Sequence, residues 1–171
     1  MIVVADTHLR SDKPIARKDD FLTAQEVKFR YILELARKSP PLVVAGDFFH
    51  KARPTIPLLR WVMDTLIEYN IPLFVILGQH DLPYHSLEHT AESGIGLLEA
   101  AGLATLLVDP LSPCHVHNYS IVGCSFGTKP PDFDYLMSIR KNELKKNLIL
   151  VWHHLVIKKG DELWPGQEAT V

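Results

Sequence analysis

Four times along this chain a short apolar run ends abruptly in carboxylate, amide or imidazole groups. Ile2-Val3-Val4-Ala5 stops at Asp6-Thr7-His8, and Leu42-Val43-Val44-Ala45 stops at Gly46-Asp47. Leu73 to Leu77 stops at Gly78-Gln79-His80-Asp81, and Leu148 to Trp152 stops at His153-His154. Apolar runs this short, without polar alternation, suit strands buried on both faces. Helical spacing fills the first two gaps. Phe21, Ala24, Val27, Tyr31 and Leu35 recur at three and four residues, and Pro40-Pro41 closes that helix. Leu58, Val62, Leu66 and Tyr69 mark a second helix, with Thr55 or Pro57 near its start. The resulting βαβαβ order implies a parallel sheet with helices on its faces.

Beyond Asp81 the pattern loosens. Leu82 to Ser93 reads as a polar loop and Gly94 to Ala101 as a short helix. Ala104 to Val108, Val116 to Val122 and Leu148 to Trp152 read as further strands, with Pro110, Pro113, Pro130 and Pro131 punctuating the loops, and strands that follow without long helices suggest a second sheet. The expected fold is α/β, two packed sheets with flanking helices. Residues 1–171 read as one domain, and a chain of 171 residues is long enough to bury its own core. A formal net charge of -2 gives no global basic field, so a nucleic-acid role would need local patches. Cys114 and Cys124 match no zinc or redox spacing and fit a reducing, cytoplasmic setting. No apolar run reaches membrane-spanning length, and MIVVADTHLR does not read as a signal peptide.

The chemistry follows from where the runs stop. Ligands in open α/β sheets bind outside the carboxyl ends of the strands. Asp, His, Asp, Gln, His and His delivered to one edge would be costly together unless a cation pairs them. Mixed carboxylate and imidazole donors suit Mn, Fe or Zn. Asp6 and His8, on alternate positions of a strand end, can grip one ion. Asp47 is central and can bridge two, with Gly46 permitting a tight turn. Two ions can clamp a phosphate and activate water. His80 is then placed to protonate the leaving oxygen, and Asp81 to orient its ring.

The order Asp6-Thr7-His8, Gly46-Asp47-Phe48-Phe49-His50, Gly78-Gln79-His80-Asp81 and His153-His154 resembles the calcineurin-like metallophosphoesterase superfamily. The segment Gly46 to Pro54 is similar to the SbcD-type DNA double-strand-break repair nuclease branch. The resemblance implies a four-layer sandwich, two mixed sheets flanked by helices. It implies a first metal on Asp6 and His8, a bridge at Asp47, and a second metal on Gln79 and His153. His154 would stand behind the ligands. His80 would contact the phosphate or act as general acid, and His50 would orient the scissile phosphate.

Two departures qualify the pattern. Gln79 stands where the family has Asn, and nothing after His154 supplies the closing GHxH-like motif. The expectation is a domain incomplete at its C-terminal end, with about three protein ligands per metal and fewer than two tightly held ions. The favoured function is Mn-dependent hydrolysis of phosphodiester bonds in DNA. Arg10, Lys13, Lys51 and Arg53 would lie along the DNA backbone. An accessory ATPase and a homodimeric partner are further expectations. The rival readings are a phosphatase or small-molecule phosphodiesterase of the same superfamily, and a non-catalytic subunit that keeps the fold.

Overall fold

The computed structural model describes residues 1–142, 147–156 and 169–170. Strands β1 (Ile2–Val4), β2 (Leu42–Ala45), β3 (Leu73–Ile76) and β4 (Thr105–Leu106) pair in chain order, each parallel to the next. Helix α1 (Phe21–Lys38) links β1 to β2, α2 (Ile56–Tyr69) links β2 to β3, and α3 (Gly94–Ala100) precedes β4. Parallel crossovers are right-handed, so strands added always in one direction put their helices on one face. The other face is left free for a second sheet.

That second sheet is β5 (Cys114–Val116), β6 (Tyr119–Cys124) and β7 (Asn147–Trp152). It is mixed, with β5 antiparallel and β7 parallel to β6. Helix α4 (Phe133–Asn142) forms part of the connection from β6 to β7. A short parallel pair, β8 (Leu155–Val156) with β9 (Ala169–Thr170), follows.

The buried side chains define four layers. Phe29, Leu33, Val62, Leu66 and Leu98 of the helices pack with Leu42, Val44 and Val75. Val43, Phe74, Ile76 and Leu107 face Ile121 and Val151 between the sheets. Val122 and Cys124 meet Ile139 of α4 on the outer side. Neighbours Val43 and Val44 therefore serve opposite faces, as the pleat requires of a strand covered on both sides. The four-layer α/β sandwich is as expected.

Local chemistry sets the element ends. Asp20 caps α1 by accepting from the Thr23 amide at 3.3 Å, and Arg37 and Lys38 occupy its last turn. Thr55 is the N-cap of α2, Pro57 lies in its first turn, and Asn70 ends it in the left-handed region.

Several expectations need correction. β1 is an edge strand with Val3 48% exposed, so it is not buried on both faces. In α1 the expected stripe is wrong: Val27 and Tyr31 are exposed, and Phe29, Leu33 and Ala36 face the core. Burial of Phe29 and Leu33 contributes about 1.5–3 kcal/mol each, which decides the helix's rotation. Val116 to Val122 is a hairpin rather than one strand, turning at His117, whose φ is +51°. Helix α4 was not anticipated. Leu82 to Ser93 contains short 3₁₀ turns. The reading of the tail, 158–171, falls outside the described residues except at 169–170. No helix among the described residues is long and apolar enough to cross a membrane.

Candidate metal centre

The loops that leave β1 and β2 run side by side beyond the strands. Asp6 donates its amide to the Gly46 carbonyl at 3.1 Å, His8 to Asp47 at 3.0 Å, and Leu9 to Phe48 at 2.9 Å. The amide of His50 returns to the Leu9 carbonyl at 3.0 Å, and the Thr7 hydroxyl donates to the Phe48 carbonyl at 2.8 Å. This ladder fixes Asp6, His8, Asp47 and His50 relative to one another before any ligand arrives.

It also bends them. Asp6, His8 and Asp47 have φ of +53°, +42° and +52°. Three non-glycine residues in the left-handed region is local strain, which structures retain where a site needs it. Asp6 and His8 therefore converge through a turning loop, and not through alternation along an extended strand as the sequence suggested. Gly46, at φ +89°, supports the same bend, and a side chain there would run into the His153 ring. A side chain at Gly78 would strike Asp47.

Asp47 is 1% exposed and sits at the middle. Its Oδ1 accepts from the His80 amide at 2.9 Å. Its Oδ2 lies 3.7 Å from Nε2 of His8 and 3.7 Å from Nε2 of His153. Asp6 Oδ1 is 3.8 Å from the same nitrogen of His8. On the far side, His153 Nδ1 is 2.8 Å from the Ala45 carbonyl, and its Nε2 is 2.9 Å from Gln79 Oε1. A neutral ring that donates from Nδ1 presents a lone pair at Nε2. That lone pair faces the amide oxygen and the carboxylate together. Three acceptors around one point describe a place for a cation, and a backbone-oriented imidazole is the usual form of a metal-ligating histidine.

The residues present thus fit two ions sharing Asp47: one with Asp6 and His8, the other with Gln79 and His153. The extra methylene of Gln79 does not stop its oxygen from reaching His153. His154 stacks on Trp152 with ring centroids 5.0 Å apart, and both line a cleft together with Asp6, Gln79 and His153.

Three imidazoles gather on the Asp6 side. His8, His50 and His80 each offer a nitrogen within 4.8 Å of the others, and the Nδ1 of His8 is buried with no hydrogen-bond partner. His50 and His80 stack at 5.5 Å. Burial, and then the charge of Arg10, hold the His50 imidazole below its ordinary pKa.

Asp81 does not orient the His80 ring. Ring nitrogen Nδ1 of His80 lies 3.1 Å from the His50 carbonyl. The Asp81 carboxylate instead accepts from the amides of Phe48, Phe49 and Gly78 at 3.2, 3.0 and 3.0 Å. It is 1% exposed, and burial pushes it up to about 6 against the pull of those amides. Asp81 is a pin between the second and third loops, and a backbone carbonyl does the orienting. A sequence carries no signal for that carbonyl.

Arg10, Lys51 and Arg53 line one small pocket beside His50. Arg10 is paired with Asp12, and Arg53 with Glu92. Lys13 lies exposed on the same loop as Asp12. The HxH at His115 and His117 belongs to the β5–β6 hairpin, where His115 Nδ1 meets the Ser120 hydroxyl at 3.0 Å.

The sequence profile of the calcineurin-like phosphoesterases matches residues 1–170, and the chain belongs to that family. It is also similar to the DNA double-strand break repair protein Mre11 of Archaeoglobus fulgidus, with 34% identity over 110 residues. That match covers 58% of this chain and 24% of the relative's length. The family expected from the motif order is therefore found, and this relative accords with the nuclease branch suggested by Gly46 to Pro54.

Proposed function

We propose that this chain is a two-metal phosphodiesterase acting on DNA, with Mn as its working ion. The observation that carries the reading is the placement of Asp47 Oδ2, 3.7 Å from both His8 and His153. One carboxylate oxygen between two imidazole nitrogens suits a bridged pair of ions, and imidazole with carboxylate suits Mn, Fe or Zn better than Mg or Ca. Asp6, His8 and Asp47 would hold one ion, and Asp47, Gln79 and His153 the other. Such a pair supplies Lewis-acid neutralisation of a phosphate and an activated water for in-line attack.

The chain's own residues supply the rest. His80, steered by the His50 carbonyl and anchored through its amide to Asp47, stands next to the bridge and can pass a proton to the leaving oxygen. His50 stacks on it and, neutral, can donate a hydrogen bond to the phosphate. DNA is favoured as substrate by the similarity to a break-repair protein and by Arg10, Lys51 and Arg53 beside His50. The resemblance of Gly46 to Pro54 to the SbcD-type branch supports an accessory ATPase as partner.

The test is hydrolysis of a DNA duplex alongside a chromogenic phosphomonoester, with Mn present. Release of nucleotides or nicks from the duplex is the expected result. Turnover of the monoester alone would make the chain a phosphatase, and turnover of neither would make it a non-catalytic subunit.

A further inference from the structure

The two sides of the centre differ in chemistry. Arg10, Lys51 and Arg53 gather on the His50 side. The His153 side opens into a cleft of about 810 Å³, lined by Asp6, Gln79 and His153 and by the rings of His85, Phe126, Trp152 and His154. This volume is within the range of small-ligand sites. No lysine or arginine lines it among the described residues.

The rings are held in place. Trp152 and His154 flank the ligand His153 directly in the chain and stack within 9° of parallel at 5.0 Å. Phe126 is half-buried, and its amide donates to the Leu77 carbonyl at 2.7 Å, just ahead of Gly78 and Gln79. His85 has a left-handed φ of +54°, its Nδ1 is 3.2 Å from the Gln79 carbonyl, and its ring lies 6.3 Å from Phe126. His85 thus belongs to the loop that carries Gln79, Trp152 and His154 flank His153, and Phe126 of the loop after β6 is tied to the Gln79 loop through Leu77.

We propose that Phe126 and the stacked Trp152–His154 pair form a base-binding subsite. It takes the nucleobase attached to the phosphate held at the centre. The proposal rests on the phosphodiesterase reading of this site and names where its substrate's aromatic part goes. Flat rings next to a phosphate site, without lysine or arginine among them, suit a π-faced group better than a second phosphate. The basic side then follows the backbone while the aromatic side holds the base. Stacking tolerates any base, so the subsite selects a nucleoside over a bare sugar and not one sequence over another.

The test is calorimetric binding to the Mn-loaded chain of thymidine 5′-monophosphate and of 2-deoxyribose 5-phosphate, which share sugar and phosphate. The nucleotide is expected to bind about tenfold more tightly, the order contributed by one base stacked on an aromatic side chain. Phe126→Ala and His154→Ala should each bring that ratio toward one. Equal binding of the two ligands by the unaltered chain, or no binding of either, would overturn the subsite. So would a ratio that both variants leave unchanged, whatever they do to overall affinity. A preserved ratio effect in a chain that hydrolyses no phosphodiester would leave the subsite standing and overturn the phosphodiesterase reading instead.

Discussion

Nε2 of His153 stands 2.9 Å from Oε1 of Gln79, while the other nitrogen of the same ring is engaged by the Ala45 carbonyl. Two acceptors held this close need a cation, or a proton, between them. Gln79→Leu keeps the size of the side chain and removes the oxygen. The expected result is an unchanged fold by circular dichroism and at least a tenfold loss of affinity for the second Mn equivalent in calorimetric titration, in line with the loss of one ligand-set member. Unchanged affinity would remove Gln79 from the ligand set.

Asp81 joins the second and third loops by accepting three amides. Asp81→Ala leaves those donors buried without an acceptor, at about 1–3 kcal/mol each before relaxation. A fall of at least about 3 kcal/mol in unfolding free energy is expected from urea titration. Asp81→Asn keeps one acceptor oxygen and should lose less. A loss under 1 kcal/mol for the alanine variant would be too small for the role of a pin.

His80 separates a proton donor from a ligand. His80→Asn should lower the rate of phosphodiester hydrolysis by about 10²- to 10⁴-fold. Its Mn stoichiometry should be unaltered. The cluster of His8, His50 and His80 could itself ligate, so a fall in bound Mn in this variant would show His80 to be a ligand and not an acid.

Gly46 carries the bend that brings Asp47 under His153. Gly46→Ala places a methyl group against the imidazole at φ +89°. A stability loss above about 1 kcal/mol is expected in thermal or urea unfolding, together with weakened Mn binding. A variant as stable as its parent would show that the loop has room that the structure denies it.

How far the sequence went can be read from single residues. The runs ending at Gly46 and Gly78 were legible because a buried parallel strand has to be apolar throughout, and its end is where polar groups begin; the run ending at Asp6 shares that composition although β1 lies at the sheet edge. The central place of Asp47, between His8 and His153, was legible for the same reason. The rotation of α1 was not, because Val27 and Tyr31 compete with Phe29 and Leu33 at the same helical spacing, and only tertiary packing decides between them. Helix α4 buries little more than Ile139, so its pattern is weak. The roles of Asp81 and of the His50 carbonyl depend on backbone groups, which side-chain identity does not reveal.

Whether Asp47 joins two ions into one centre can be read by electron paramagnetic resonance of the chain at saturating Mn. Two ions per chain, not both tightly held, are expected to give the exchange-coupled signal of a bridged pair, and Asp47→Ala is expected to lose that coupling along with most of the bound metal. A signal of isolated ions in the unaltered chain, or a coupled pair that survives Asp47→Ala, would contradict a bridging Asp47.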